Sequence, residues 1–176
     1  MSQERKGDWK QTFTGRAYWP IDPRADDVDI EDIAHALGMM CRYGGHCSSF
    51  YSVAEHSVLV SEVVPREHAL AGLMHDAAEA YCVDVPRPLK RHLPGYREIE
   101  DLNWRAVCQR FGLAPVLPAC VHDADNAVLL AEQKVLLRPP PMAWGIPGEP
   151  AKVKIRCLGP SAAKRVFLQR FEELTK

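Results

Sequence analysis

The chain has no long hydrophobic run. Its opening residues, Met1-Ser2-Gln3-Glu4-Arg5-Lys6, are polar and no apolar stretch follows them, so neither a signal peptide nor a membrane-spanning segment is expected. A cytoplasmic protein with no membrane partner is the reading that follows. There is no excess of either charge: 22 Lys and Arg against 23 Asp and Glu leave a net charge of −1. That argues against a surface for duplex nucleic acid, although a local group of basic residues can still hold a small anion. The cysteines, at positions 41, 47, 82, 108, 120 and 157, form no CxxC pair and no regular framework. A disulfide scaffold and a structural zinc site are therefore set aside, and the thiols read mainly as small buried hydrophobes. Internal repeats and low-complexity tracts are also missing.

What remains is an ordinary globular composition, 47% hydrophobic and 26% charged over 176 residues, enough for a single domain with a real core. Residues 1–28 read as an irregular extension. Within it, Thr12 to Trp19 could form a short β-ribbon turning at Gly15, followed by a stretch held extended by Pro20 and Pro23. The periodicity then turns helical. A first helix starts near Asp29, carries Ile30, Ile33, Ala34, Leu37 and Cys41, and ends at Gly44-Gly45. A second runs from about Ser52 to Val64 and stops at Pro65, and a third from about Arg66 to Tyr81. Val85-Pro86-Arg87-Pro88 reads as a loop. Further helices cover Tyr96 to Phe111, Pro118 to Leu137 and Ser161 to Leu174. Residues 138–160 form a proline-rich loop, with five prolines between Arg138 and Pro150. The fold class is all-α, a helical bundle with a small β-ribbon at its N-terminal end.

The chemistry concentrates at His75-Asp76. An isolated His-Asp dipeptide is ordinarily surface polarity, but here Leu73, Met74, Ala77 and Ala78 leave almost no polar face in the turn. A buried imidazole and carboxylate need partners or a metal ion. His56, one helix earlier, can meet His75 if the two helices are antiparallel neighbours. For a further carboxylate, Asp123 and Asp125 compete. Asp125 shares its face with Val121, His122, Val128 and Leu129, whereas Asp123 lies about 160° around the helix. Asp125 is thus the inward residue.

Glu79 follows His75 and Asp76 by one turn and can accept a proton from water activated at such a centre. Arg42 can grip a phosphate bidentately. Lys90, with Arg87 and Arg91, adds positive potential after the proline-flanked loop. Imidazole and carboxylate ligands suit Mn, Co, Fe, Ni, Zn and, less well, Mg. Trp19, Trp104 and Trp144 read as packing anchors.

The ordered set His56 … His75-Asp76 … Asp125 resembles the signature of the HD-domain superfamily of metal-dependent phosphohydrolases. The segment His75-Asp76-Ala77-Ala78-Glu79 … Asp84-Val85-Pro86-Arg87-Pro88-Leu89-Lys90 is similar to bacterial HD-domain 5′-deoxynucleotidases and to phage-type enzymes acting on deoxynucleoside triphosphates. Cys41-Arg42-Tyr43 followed by Glu55-His56-Ser57 fits the same pattern, so the likeness spans about residues 40–135. It implies that His56, His75, Asp76 and Asp125 bind a divalent metal ion and that Glu79 is the catalytic carboxylate. Asp84 would hold the sugar or water network, Arg42 the phosphate, and Tyr43 would stack near sugar or base. Tyr43 stands where the deoxynucleotidases carry Trp. The Gly44-Gly45-His46 stretch also differs, which makes His46 a further candidate phosphate donor.

The expected function is a 5′-nucleotidase releasing phosphate from deoxynucleoside monophosphates. The alternatives are a deoxynucleoside triphosphate triphosphohydrolase and a non-catalytic nucleotide-binding module. A nucleotide is the expected partner, and a homo-oligomer is compatible with the reading.

Overall fold

The computed structural model describes residues 4–176. Its elements are β1 (Lys10–Gln11), β2 (Ala17–Tyr18), α1 (Ile30–Met39), α2 (Val53–Val63), α3 (Ala69–Met74), α4 (Glu79–Cys82), α5 (Arg87–Lys90), α6 (Tyr96–Phe111), α7 (Ala119–Leu136) and α8 (Pro160–Thr175). The fold is all-α with one antiparallel ribbon, in which Lys10 pairs with Tyr18 and Gln11 with Ala17. No helix among the described residues is long and apolar enough to cross a membrane.

α2 is the central element. Ser52 caps it, its hydroxyl accepting the Glu55 N–H at 3.1 Å, and the residue before Pro65 turns extended, which ends it. It packs against α1, α3, α7 and α8, so its residues are covered almost all round, as expected for a helix with no polar stripe. Gly72 on α3 allows the closest approach: a Cβ there would meet Val64 Cγ2 at 3.0 Å and the Ser61 Cα at 3.2 Å. α1, capped by the Asp29 side chain, contributes Ile33, Ala34 and Leu37 to a core shared with Val53, Leu73, Met74 and Phe167. A second apolar cluster, with Tyr51, Val60, Val121, Val128 and Leu136, joins α2 to α7.

Four sequence expectations need correction. α1 ends at Met39 rather than at Gly44-Gly45. An isolated bridge between Cys41 and Ser52, with Arg42 N–H donating to the Tyr51 carbonyl and Val53 N–H to that of Met40, takes the backbone bonds instead. Between them Arg42–Gly45 makes a separate tight turn.

The continuous third helix is in fact three pieces: a turn at Arg66–His68, then α3, then α4. Between α3 and α4 the bonds from Ala77 N–H to Met74 and from Glu79 N–H to Asp76 span three residues, a tighter winding than α-helix. Sequence periodicity does not distinguish the two windings over so short a stretch.

The Val85–Pro88 loop gives way at Arg87 to α5, because Pro88 falls in the first turn, where a missing N–H costs nothing. Finally, of the six free cysteines only Cys108 is buried; the other five are partly exposed. Residues 138–159 contain no helix or strand, as the prolines require.

Candidate metal centre

Three elements converge on one point. His56 comes from the middle of α2, His75 and Asp76 from the tight turn after α3, and Asp125 from α7. One ligand atom each from His56, His75 and Asp125 lies within 4.8 Å of the others, a group able to hold a metal ion. The rings of His56 and His75 are 5.3 Å apart. Asp76 stands beside them, its Oδ1 3.2 Å from His75 Nε2 and its Oδ2 3.8 Å from His56 Nε2.

The orientation of the two imidazoles is fixed from behind. His75 Nδ1 donates to the Gly72 carbonyl at 2.8 Å, and because a carbonyl only accepts, that nitrogen carries the proton. His56 Nδ1 lies 2.6 Å from a carboxylate oxygen of Glu132. Both Nε2 atoms are buried and have no hydrogen-bond partner among the described residues. His56 Nε2 is 3.2 Å from Asp125 Oδ1, but not in hydrogen-bonding alignment. Ligand atoms gathered within 4.8 Å of one another without hydrogen bonds between them are what a metal site requires, and an orphaned buried nitrogen otherwise costs about 1–3 kcal/mol. The donor set of imidazole nitrogen and carboxylate oxygen therefore fits a divalent ion.

The charges are strongly perturbed. Burial and the Arg42 charge push His56 down, but the Glu132 and Asp125 carboxylates overcome them and carry it up to about 9. Burial opposes ionisation of Asp76 and Asp125, yet the neighbouring histidines and Arg42 hold both well below the usual carboxylate range. Glu79 moves the other way: burial, with the Asp76 and Asp84 charges, lifts it well above its ordinary value. Its Oε2 is buried and has no hydrogen-bond partner among the described residues.

The other expected residues divide. Arg42 is in the cluster, its Nη1 3.7 Å from Asp76 Oδ2 and its Nε bonded to Glu132. Tyr43 turns its hydroxyl onto Glu132 at 2.5 Å. Lys90 Nζ lies 4.0 Å from Glu79 and 2.6 Å from Glu100, so it is held between two carboxylates. Asp84 is half-buried, and burial raises its carboxyl. Among the described residues it has no hydrogen-bond partner, and its environment is electrostatic, with Arg42 and Asp76 near. His46 is exposed at the end of the 42–45 turn and is not brought into the cluster. Asp123 is exposed, as expected from its side of α7.

Two groups, Glu132 and Tyr51, escaped the sequence reading, and Arg87, read only as added positive potential, has a specific partner. Arg87 donates to Asp125 Oδ2 at 2.5 Å, leaving Oδ1 toward His56. Glu132 and Tyr51, both fully buried, share a hydrogen bond of 2.8 Å behind His56. Glu132 lies seven residues beyond Asp125, two turns along the same face of α7, and that spacing was the available signal. A cleft of about 330 Å³ opens on the cluster, lined by His75, Asp76, Glu79, Lys90, Trp104 and Asp125. Trp104, expected only to pack, is thus a cleft wall, its indole N–H donating to the Pro115 carbonyl.

No protein-family model matches the chain. It is 40% identical over 169 residues to YfdR of Escherichia coli (strain K12), an uncharacterized protein, covering 94% of this chain and 95% of that one. An uncharacterized protein of Rhodobacter capsulatus is 40% identical over 129 residues, 68% of this chain and 66% of its own length. The match to YfdR runs through nearly the whole of both chains, and the chain belongs to the YfdR family.

Proposed function

We propose that the chain is a metal-dependent phosphohydrolase of HD-domain type that acts on nucleotides, most simply as a 5′-nucleotidase on deoxynucleoside monophosphates. The observation that carries the reading is the convergence of two unpartnered imidazole nitrogens and the Asp125 carboxylate beside the cleft. Asp76, against both rings, completes a set of four ligand side chains.

A divalent ion held there supplies Lewis-acid polarisation of a phosphoryl oxygen and of water. Glu79 takes the proton of the attacking water. Its burial and its acidic neighbours Asp76 and Asp84 raise its proton affinity above that of an ordinary carboxylate, which favours accepting a proton. Arg42 places positive charge against the phosphoryl oxygens, where negative charge gathers during transfer. Lys90, tethered by Glu100, adds a second positive group on the Glu79 side. Asp84 lies in the electrostatic field of the same groups and serves the sugar or water network.

Triphosphohydrolase action on deoxynucleoside triphosphates is the second reading. It uses the same centre, and Arg87 and Lys90 flank it; Arg87, however, is already committed to Asp125. The test is a product screen of metal-loaded protein against ribo- and deoxynucleoside mono- and triphosphates. Inorganic phosphate released from monophosphates is the expected result, and inorganic triphosphate would select the second reading. No turnover under several divalent ions would overturn both.

A further inference from the structure

Glu132 is fully excluded from solvent on α7 and receives four donors. Its Oε1 accepts the Tyr51 hydroxyl at 2.8 Å and faces His56 Nδ1 at 2.6 Å. Its Oε2 accepts the Tyr43 hydroxyl at 2.5 Å and Arg42 Nε at 3.2 Å. A carboxylate offers about four lone-pair sites, so Glu132 is saturated and has none left for a metal ion. It can act on the centre only through the groups that it holds.

We infer that Glu132 is a positioning residue: it fixes His56 as the tautomer whose Nε2 lone pair faces the metal, and with the same carboxylate it anchors the Arg42–Tyr43 turn. The inference rests on the metal centre of the proposed function. A proton on Nδ1, donated to a carboxylate, leaves Nε2 bare, and such a carboxylate behind the ring also makes the nitrogen a better ligand. The anchoring half has its own observation. Tyr43 adopts φ +58° and ψ +24°, the left-handed region that a bulky residue occupies only when its surroundings hold it there. The hydroxyl bond to Glu132 closes that turn and sets Arg42 beside Asp76. One buried carboxylate thus ties a metal ligand to the group that meets the phosphate.

The test uses Zn²⁺ alone. Glu132→Gln retains size and one acceptor oxygen but puts an NH₂ donor among four donors. Where that amide faces His56 Nδ1, the ring must accept there and carry its proton on Nε2. The expected result is a 10–100-fold loss of Zn²⁺ affinity with helical circular dichroism unchanged, the range seen when a residue behind a ligand is lost. Wild-type affinity in Glu132→Gln would overturn the inference. Because that variant could fail to fold, nitrogen-15 NMR of the Zn²⁺-loaded wild type gives a second readout. His56 should carry its proton on Nδ1, and a proton on Nε2 would overturn the inference without any variant. Neither readout involves a nucleotide, so a protein that fails the phosphate screen can still pass both, and the two claims fail separately.

Discussion

The imidazole rings of His56 and His75 lie 5.3 Å apart and inclined by 56°, with both Nε2 atoms buried and without hydrogen bonds among the described residues. In the metal-free protein the bare His75 nitrogen costs stability, because it has left water without gaining a bond, whereas His56, raised to about 9, is held as a cation by Glu132 and Asp125. His75→Leu removes one orphan, at the cost of the bond to Gly72. These effects nearly cancel, so the metal-free variant should unfold within about 1 kcal/mol of wild type. The rise in melting temperature on adding a divalent ion should disappear. Thermal unfolding with and without the ion checks both; a full ion-induced rise in the variant would remove His75 from the ligand set.

Glu79 stands next to the centre without being needed to hold it. Glu79→Gln should keep metal affinity close to wild type and lower kcat by about 10²–10⁴, the usual contribution of a positioned proton acceptor. Steady-state kinetics with parallel metal titration reads the two effects apart. Full activity in the variant would place the base elsewhere.

Burial of Cys108, and partial burial of Cys82, hold both thiols up to about 11. A raised value means that the folded protein keeps its protons where the unfolded chain releases them. The stability this gives is complete below the unfolded thiol value near 9, and is lost as pH rises toward about 11. At pH 8 both thiols should react slowly with a disulfide reagent in the folded protein and at the ordinary rate in urea. Equal rates in the two states would contradict the burial seen here.

The N-terminal ribbon is fastened to α6 through one buried amide. Asn103 accepts the Tyr18 hydroxyl at 2.7 Å and donates to the carbonyls of Pro20 and Ile99. Tyr18→Phe leaves the Asn103 oxygen without a donor, and should lower unfolding stability by about 1–3 kcal/mol in urea titration. A change below a few tenths would mean that the amide finds another partner.

The end of α6 and both ends of α2 are readable in the sequence because their signals are local: Gly112 in the left-handed conformation ends α6, Ser52 caps α2, and Pro65 follows it. The choice of Asp125 over Asp123 also followed from helical spacing alone. The break at His75 to Ala78 did not, since Leu73, Met74, Ala77 and Ala78 suit an unbroken helix and the tight turn is set by packing. Glu132 was passed over, despite its spacing from Asp125, for a different reason. A carboxylate in an amphipathic stretch reads as solvated until tertiary structure brings Tyr43, Tyr51 and His56, more than seventy residues away, to it.

The central claim is that His56, His75, Asp76 and Asp125 together hold a divalent ion. Titration of chelator-treated protein with Co²⁺, followed by visible absorption, tests it most directly. Saturable binding with bands of a mixed nitrogen and oxygen environment, weakened at least 100-fold in both His56→Ala and Asp125→Ala, is the predicted result, since each loses a ligand outright. Absence of saturable binding in the wild type, or binding that both substitutions leave intact, would contradict it.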